Sequence, residues 1–343
     1  MKLIPRLKDK ILEHSNDYGA IERAFKLNSG LPSLIRVSNK SVILAKSPVS
    51  IVIPVYIGER LDIVLEKLNK QVYKNFEVIL IDDGSPVSVW NKVKDHKYSF
   101  PLKFIRVKKN KGTAAAINIG IQTASYEIIV LMDQDMIQLP ETIAKIAVRH
   151  QYTDNAVFVG FRECIYYKDY LIINKRRRPN IEDDWRIKTV GNNKFLDLTI
   201  KQYSEIKEGK KYYIINKTNY LKDFCRGKQI AYWDLPTMVI GHSVSFKRKY
   251  AIKAGGFIEN FFKGWGMDDI SFGAALIAHN SYIIPALDWK SFHINHTRYS
   301  GSREIEINEL KNNVNSYLKK FLTLPLGKHI FTKRKIKKNN VCK

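Results

Sequence analysis

The chain is short of cysteine and has no long apolar run. Its three cysteines, Cys164, Cys225 and Cys342, are odd in number and widely spaced, which argues against a disulfide framework or a zinc site and favours a reducing cytosol. No stretch approaches the roughly 18 apolar residues that a membrane-spanning helix needs. The first twenty residues have no long apolar segment with a cleavage-like end, so we expect no secretory signal. These absences predict a cytoplasmic protein.

Acidic residues are also few relative to basic ones. The 58 Lys and Arg against 33 Asp and Glu give a net charge of +25, and from Lys319 onward nine basic residues occur without an acid. Such a surface can bind nucleic acid, anionic lipid or phosphorylated substrates, or it can simply be a solvated, lysine-rich face. The tail alone could attach the protein peripherally to the inner face of the cell membrane. Composition leaves these alternatives open.

The chain divides into a preface, a body and a tail. Residues 1–46 are predicted to form a helical N-terminal extension, since Leu3, Leu7 and Ile11 recur at a spacing of four. This extension could dock on the body or lie on a membrane surface. Residues 47–303 are the expected main domain, and residues 304–343 a C-terminal helix with the basic tail.

Strand and helix patterns alternate in the main domain. Apolar, β-branched runs that are typical of buried strands are separated by amphipathic or small-residue helical segments. The expected strands are "VSIVIPVY", "FEVILID", "LKFIRV", "EIIVLM", "AVFVG" and, later, "MVIGHSVSF" with Gly241 inside it. This order predicts an α/β fold with a mostly parallel central sheet flanked by helices. We divide it into a nucleotide-binding half, 47–160, and an acceptor or catalytic half, 161–303.

Acidic and polar residues follow the ends of the predicted strands. In open α/β sheets, ligands bind beyond the carboxyl ends of the strands, and carboxylates gathered there need a cation or donor hydrogens to offset their repulsion. Oxygen ligands suit Mg²⁺ or Mn²⁺. A strand-end Asp can instead cap a turn, but the joint pattern favours a metal and ligand site. The residues are Tyr56, Glu59, Asp82, Asp83, Lys111, Gly112, Asp133 and Asp135.

These segments resemble a known family. "VSIVIPVYIGERLDIVLEKLNKQVYKNFEVILIDDGSP", "NKGTAAAINIGI" and "VLMDQDM" are similar to family 2 glycosyltransferases of the GT-A fold, which use nucleotide-diphosphate sugars. "GGFIENFFKGWGMDDISFGAAL" resembles the galactosyltransferase-like C-terminal module of bacterial chondroitin-type capsule polymerases. The resemblance covers about 250 residues and leaves out the extension and the tail.

For the nucleotide-binding half, the resemblance implies a pocket that holds a UDP-sugar and a divalent metal. Asp133 and Asp135 correspond to the DXD motif: the first would lie near the ribose and the metal, and the second would bind the metal that bridges the diphosphate. The remaining residues of this half that we assign to the nucleotide-sugar site are Pro54, Val55, Tyr56, Glu59, Asp82, Asp83, Lys111, Gly112 and Gln134.

For the second half, the resemblance implies the catalytic machinery. Asp269 falls at the position of the catalytic base, and Asp268 would hold an acceptor or donor hydroxyl. Trp265, between Gly264 and Gly266, would pack on a sugar face. A carboxylate is suited to remove the proton of an acceptor hydroxyl, and an indole can lie against the apolar face of a sugar ring. Asp269 could instead be a helix N-cap.

Two histidines are candidate metal ligands. The resemblance implies His296 as a ligand, and His293 where some relatives have another. On a strand, a spacing of three turns the two side chains to opposite faces, so both can bind one metal only if the segment is a turn.

The chain departs from the family pattern at two places. Ile117 stands before Asn118 where many members have a basic residue, so that contact is absent or is supplied elsewhere, for example by Lys111. "GHS", Gly241–Ser243, replaces the common Gly-Gly-Asn, and His242 could supply a donor contact there.

Together these observations predict a Mn²⁺- or Mg²⁺-dependent, inverting glycosyltransferase. We expect it to move a hexose or N-acetylhexosamine, with galactose-type sugars preferred, from a UDP-sugar to a hydroxyl of a glycan, lipid-linked or peptide acceptor in bacterial surface polysaccharide synthesis. The alternative is a non-enzymatic polyanion- or nucleic-acid-binding protein on a similar fold, which the charge alone supports.

Overall fold

The computed structural model describes residues 4–14, 19–172, 177–181, 184, 186, 235–295, 303–326 and 341–342. The strands are β1 Val49–Val55, β2 Phe76–Asp82, β3 Leu102–Arg106, β4 Ile128–Leu131, β5 Met136–Gln138, β6 Ala156–Tyr166, β7 Val244–Lys247, β8 Tyr282–Asn295 and β9 Val341–Cys342. The helices are α1 Leu7–Glu13, α2 Gly19–Ser29, α3 Leu61–Asn69, α4 Trp90–Val93, α5 Thr113–Thr123, α6 Thr142–Gln151, α7 Tyr167–Ile172, α8 Arg248–Lys253, α9 Asp268–Ala278 and α10 Arg303–Lys319.

The strands of the described residues form one sheet in the order β5-β8-β6-β7-β4-β1-β2-β3-β9. Strands β4, β1, β2 and β3 are mutually parallel, whereas β7 is antiparallel to both β4 and β6. The α/β fold class is therefore confirmed: β4, β1, β2 and β3 form a parallel block, and the rest of the sheet is mixed. The chain passes from β1 to β2 on one side and returns to β4 on the other, so the strand order reverses beside β1.

The centre of the sheet is buried on both faces, as its apolar runs predict. All residues of β2 and β4 are buried. The small-residue helix α5 lies against β1 so closely that a Cβ atom on Gly120 would overlap the Val52 side chain. This close approach fixes the direction in which α5 begins, and therefore the loop before it, at the carboxyl edge of the sheet.

Two features differ from the sequence expectation. The segment around Gly241 is a turn, and β7 begins only at Val244. The short strand β5, directly after Asp135, is one that the sequence pattern does not predict. Strand β8 pairs in parallel with β6 on both sides of a register shift, which lies between Val159 and Phe161 of β6 and between Pro285 and Lys290 of β8.

The N-terminal extension is docked on the body. Leu7 and Ile11 of α1 are buried, and α1 packs against α9 and against the 3₁₀ turn Phe321–Thr323. The Leu7 N–H donates to the Leu324 carbonyl at 2.9 Å. The end of the basic tail returns to the sheet, where β9 pairs antiparallel with β3.

Docking of α1 predicts a pH dependence of stability. His14, at the end of α1, packs against Tyr282 with ring centroids 4.8 Å apart and ring planes tilted by 59°, and burial lowers its pKa to about 4. In the unfolded chain the His14 imidazole is protonated below about pH 6.5, whereas in the folded protein it stays neutral until the pH nears 4. Burial of His14 therefore leaves the free energy of unfolding unaffected above about pH 6.5 and lowers it progressively as the pH falls towards 4. Between pH 7 and pH 5 the wild-type protein should therefore lose about 2 kcal/mol more of its unfolding free energy than His14→Phe does.

Urea unfolding of both proteins at the two pH values measures this difference. His96→Phe, which changes an exposed histidine, is the matched control and should keep the wild-type dependence. An equal loss of stability in wild type and His14→Phe would contradict the account.

Candidate active site

At the point beside β1 where the strand order reverses, a pair of hydrogen bonds joins the loops that follow β1 and β4. The Tyr56 N–H, just after β1, donates to Gln134 Oε1 at 3.1 Å, and Gln134 Nε2 donates to the Tyr56 carbonyl at 3.0 Å. Gln134 stands between Asp133 and Asp135, so these bonds fix the loop that carries both acids to the end of β1. Crevices of this kind are the usual ligand sites of open α/β sheets.

Asp82 and Asp83 hold the neighbouring loops. The Asp82 carboxylate, which is fully buried, accepts hydrogen bonds from the N–H groups of Ser85 and Val89 at 2.9 and 3.1 Å. The Asp83 carboxylate accepts from the N–H groups of Lys111 and Gly112, both at 2.9 Å. Burial raises the pKa of Asp83, although these N–H groups oppose the rise. Both acids therefore shape the loops around the crevice, and their direct contact with a nucleoside stays a prediction.

The other candidates of this half lie around the same loops. Pro54 and Tyr56 are half-buried, while Glu59 and Lys111 are exposed. Val55, the last residue of β1, is buried, and its carbonyl accepts the Asp83 N–H at 2.9 Å. Because Glu59 and Lys111 are exposed, they can reach a ligand only from the rim of the crevice.

Asp135 and His293 face each other across β5 and β8. His293 Nε2 lies 3.4 Å from Asp135 Oδ1, and the Ile294 N–H donates to the Asp135 carbonyl at 3.1 Å. The strand pairing sets this approach, because Met136 is registered with His293. One carboxylate oxygen and one imidazole nitrogen at this separation fit two ligands of a single divalent ion.

Asp135 and His293 alone do not complete the coordination shell of a metal ion, which needs further ligands. Within the part of the chain that the structure describes, no group of three or more His, Cys, Asp and Glu side chains is placed to hold a metal ion. His296 lies outside the described residues. Mg²⁺ and similar ions are commonly held by one or two protein carboxylates, waters and substrate phosphates, so Asp135 and His293 are compatible with a metal that the substrate helps to bind.

The two acids of "GWGMDD" begin α9. Met267 occupies the N-cap position with φ +77°, and Asp268 and Asp269 are the first residues of the helix, so Asp269 is not the N-cap. Burial raises the pKa of each carboxyl to about 7. For Asp269, the Gly241 N–H opposes the rise and the charge of Asp133 adds to it. Asp269, the catalytic-base candidate, and Asp133 therefore lie close enough for their charges to interact.

Two arginines near Asp269, Arg162 and Arg186, have no sequence signal that singles them out for this site, whereas His242 is the residue in which "GHS" departs from the family pattern. The positive charges of Arg162 and Arg186 lower the pKa of Asp269 and also that of the buried His242, whose pKa is lowered mainly by burial. Arg186 is fully buried and donates to Asp184 Oδ2 at 2.8 Å. The charge of His293 also lowers the pKa of His242, so the two imidazoles lie close enough to interact.

Gly241 provides the space for Asp269. A Cβ atom at residue 241 would lie 2.8 Å from Asp269 Oδ1, so Gly241→Ala must displace the carboxylate. Because a shift of about 1 Å in a reacting group can cost about 10²-fold in rate, we expect turnover to fall by about that factor. Steady-state rates measure the effect. In an Asp269→Asn background the same change should cost little more, and full additivity would contradict a shared role.

The tryptophan loop, residues 263–267, leads into α9. Trp265 is 53% exposed, which is unusual for so large an apolar side chain, and Gly264 and Gly266 have φ +67° and +93°. Glycine adopts these angles without steric cost. The exposed indole lies three residues before Asp268 in the chain, and its packing on a sugar stays a prediction.

The fold and the site together define a ligand-binding α/β protein with acidic groups at the strand ends, and comparison with known proteins assigns the family. The family model "Glycosyl transferase family 2" matches residues 50–233, more than half of the chain. The chain belongs to glycosyl transferase family 2 and is a glycosyltransferase.

Similar proteins include two polysaccharide synthases. The chondroitin synthase of Escherichia coli is 28% identical over 247 residues, which cover 68% of this chain and 32% of the relative. That of Pasteurella multocida is 26% identical over 299 residues, 82% of this chain and 28% of the relative. The chain thus spans about a third of the length of these relatives.

A solved structure supports the fold. "GalNAc-T7 with UDP, GalNAc and Mn2+" superimposes with a TM-score of 0.50 at 13% identity, over 77% of this chain and 47% of that one. This likeness confirms the GT-A architecture. Among the described helices, none combines the length and the apolar character needed to cross a membrane.

Proposed function

We propose that the chain is a metal-dependent, inverting glycosyltransferase that uses a UDP-sugar. It moves a hexose or N-acetylhexosamine, with galactose-type sugars preferred, to a hydroxyl of a glycan, lipid-linked or peptide acceptor in bacterial surface polysaccharide synthesis. One observation carries the proposal: the Asp269 carboxyl, whose pKa is raised to about 7, lies near Asp133 at the sheet edge that also holds Asp135 beside His293. The similarity to chondroitin synthases supports the acceptor class and the sugar type.

The donor end of the reaction follows from the loops at the carboxyl edge. Gln134 fixes the acid-bearing loop to the end of β1, and Asp83 fixes the loop before α5, so the crevice is shaped before a donor enters. Asp135 and His293 would hold a Mn²⁺ or Mg²⁺ ion, which stabilises the charge that develops on the departing diphosphate.

The acceptor end depends on Asp269. A carboxylate with a pKa near the working pH can remove the proton of the acceptor hydroxyl as the new bond forms. The acceptor oxygen bonds to the anomeric carbon, the bond from that carbon to the diphosphate oxygen breaks, and the proton passes to Asp269. With a single base and attack from the side opposite the diphosphate, the anomeric configuration inverts. Asp268 and Trp265 would orient the acceptor or the donor sugar.

A panel of nucleotide sugars tests this function. UDP release is measured with each UDP-hexose and UDP-N-acetylhexosamine in Mn²⁺. GDP-mannose, which carries guanine in place of uracil, is the control for the choice of nucleotide. We expect one or two UDP-sugars to be hydrolysed slowly without an acceptor and faster with one. The proposal would be overturned if no UDP-sugar released UDP above the protein-free rate and UDP itself did not bind.

A further inference from the structure

The C-terminal helix α10 contacts the tryptophan loop through polar groups. Asn313, which is 3% exposed, donates from Nδ2 to the carbonyls of Lys263, Trp265 and Gly266 at 2.9, 3.1 and 3.3 Å, and it accepts the Lys263 N–H at 3.2 Å. Glu309 accepts the Trp265 N–H at 2.9 Å. One face of α10 therefore satisfies most of the loop's backbone between residues 263 and 266.

The loop has a backbone that needs such support. Besides the two glycines, Met267 has φ +77°, an angle that is sterically unfavourable for a residue with a Cβ atom. Met267 directly precedes Asp268 and Asp269, so its conformation sets where these carboxyls begin. Strained conformations persist only where surrounding contacts hold them, and the contacts from α10 are of that kind.

Asn313 is chemically matched to this task. A side-chain amide offers both a donor group and an acceptor, and here the donor meets carbonyls while the acceptor meets an N–H. Its isostere Asp would keep the acceptor but place a carboxylate against three carbonyl oxygens. Leu310, one turn earlier, packs beside Gly266, where a Cβ atom would lie 2.8 Å from its Cδ1. A side chain at residue 266 would have to displace this methyl group, and the φ of +93° there also favours glycine.

We propose that α10 positions the sugar-facing loop and, through Met267, the carboxyls of α9, with Asn313 as the main positioning residue and Glu309 as its partner. This role rests on the proposed function of Trp265 and Asp269. The nucleotide loops are held separately by Asp82, Asp83 and Gln134. Loss of the α10 contacts therefore acts on sugar transfer and leaves the binding of UDP unchanged.

Asn313→Ala and Asn313→Asp test the proposal with two readouts. We expect the rate of sugar transfer to fall by about 10-fold to 10²-fold, with Asp at least as damaging as Ala, while the affinity for UDP in Mn²⁺ stays within about twofold. Acrylamide quenching of Trp265, taken as the difference from Trp265→Phe in the same background, should rise. Asn312→Ala, an exposed asparagine on the same helix, is the matched control and should change neither readout.

The outcomes separate this proposal from the proposed function. If wild type transfers no sugar, the function is wrong, and the quenching of Trp265 still decides the role of α10. Wild-type transfer and quenching in both Asn313 variants would overturn the positioning role, and so would an equal loss of transfer and UDP affinity. If both Asn313 variants fail to fold, Glu309→Ala, which changes a half-buried residue, takes their place. It must lower the rate of sugar transfer and raise the quenching of Trp265, both by less, while the affinity for UDP stays the same. Wild-type transfer and quenching in Glu309→Ala would then overturn the proposal.

Discussion

Replacing Asp269 with Asn is expected to lower the rate of sugar transfer by about 10³-fold, within the range that a positioned general base contributes. Asn has the shape of Asp but cannot accept the proton of the acceptor hydroxyl. The Gly241 N–H can still donate to the amide oxygen, so the side chain should keep its place. Single-turnover rates with saturating donor measure the chemical step directly.

The same variant should bind UDP as wild type does. Because burial raises the pKa of Asp269 to about 7, neutralising this residue removes a costly charge, and the melting temperature should stay the same or rise. Asp268→Asn is the matched comparison one residue earlier, and we expect its loss of rate to be smaller. Full transfer by Asp269→Asn would exclude this residue as the base.

Replacing Asp135 with Asn should weaken the Mn²⁺-dependent binding of UDP by roughly 100-fold or more, since even residues that only support metal ligands cost 10- to 100-fold. The change removes the carboxylate that faces His293 and leaves the Gln134 bonds to Tyr56 in place. Titration calorimetry with UDP, in Mn²⁺ and in EDTA, separates the metal-dependent part of binding from the rest.

A charge-matched control distinguishes this effect from a general loss of negative charge. Asp95 is exposed and lies in the connection that enters the amino end of β3, at the edge of the sheet away from the candidate site. Asp95→Asn should bind UDP as wild type does. If Asp135→Asn keeps the wild-type difference between Mn²⁺ and EDTA, the metal is held by other residues.

Much of the fold could be predicted because the signals are local. The strands β1 and β2 are continuous apolar runs, and α5 is built of residues small enough to lie against β1, as the overlap at Gly120 shows. The strand β5 escaped notice because three residues are too few for a pattern. The apolar neighbours of Gly241 predict a strand, whereas the structure has a turn there, where a Cβ atom at residue 241 would lie 2.8 Å from Asp269 Oδ1.

The sequence predicts the chemical character of the site, but it does not predict which acidic residues face a ligand and which hold the surrounding loops. Acids after strand ends indicate a polar edge, but a strand pattern does not tell whether a carboxylate faces a ligand or a backbone N–H. Asp82 and Asp83 hold loops through contacts that arise only when those loops fold. The contact of Asn313 with the tryptophan loop spans about fifty residues of sequence and depends on tertiary packing, so nothing in the residues of α10 alone indicates it.

The most direct test of the central claim is the metal dependence of turnover. The wild-type protein is freed of metal with EDTA, and UDP release from its best UDP-sugar is followed before and after Mn²⁺ is restored. The account predicts a negligible rate without metal and full recovery with Mn²⁺. An equal rate in EDTA and Mn²⁺, or no UDP release under either condition, would contradict it.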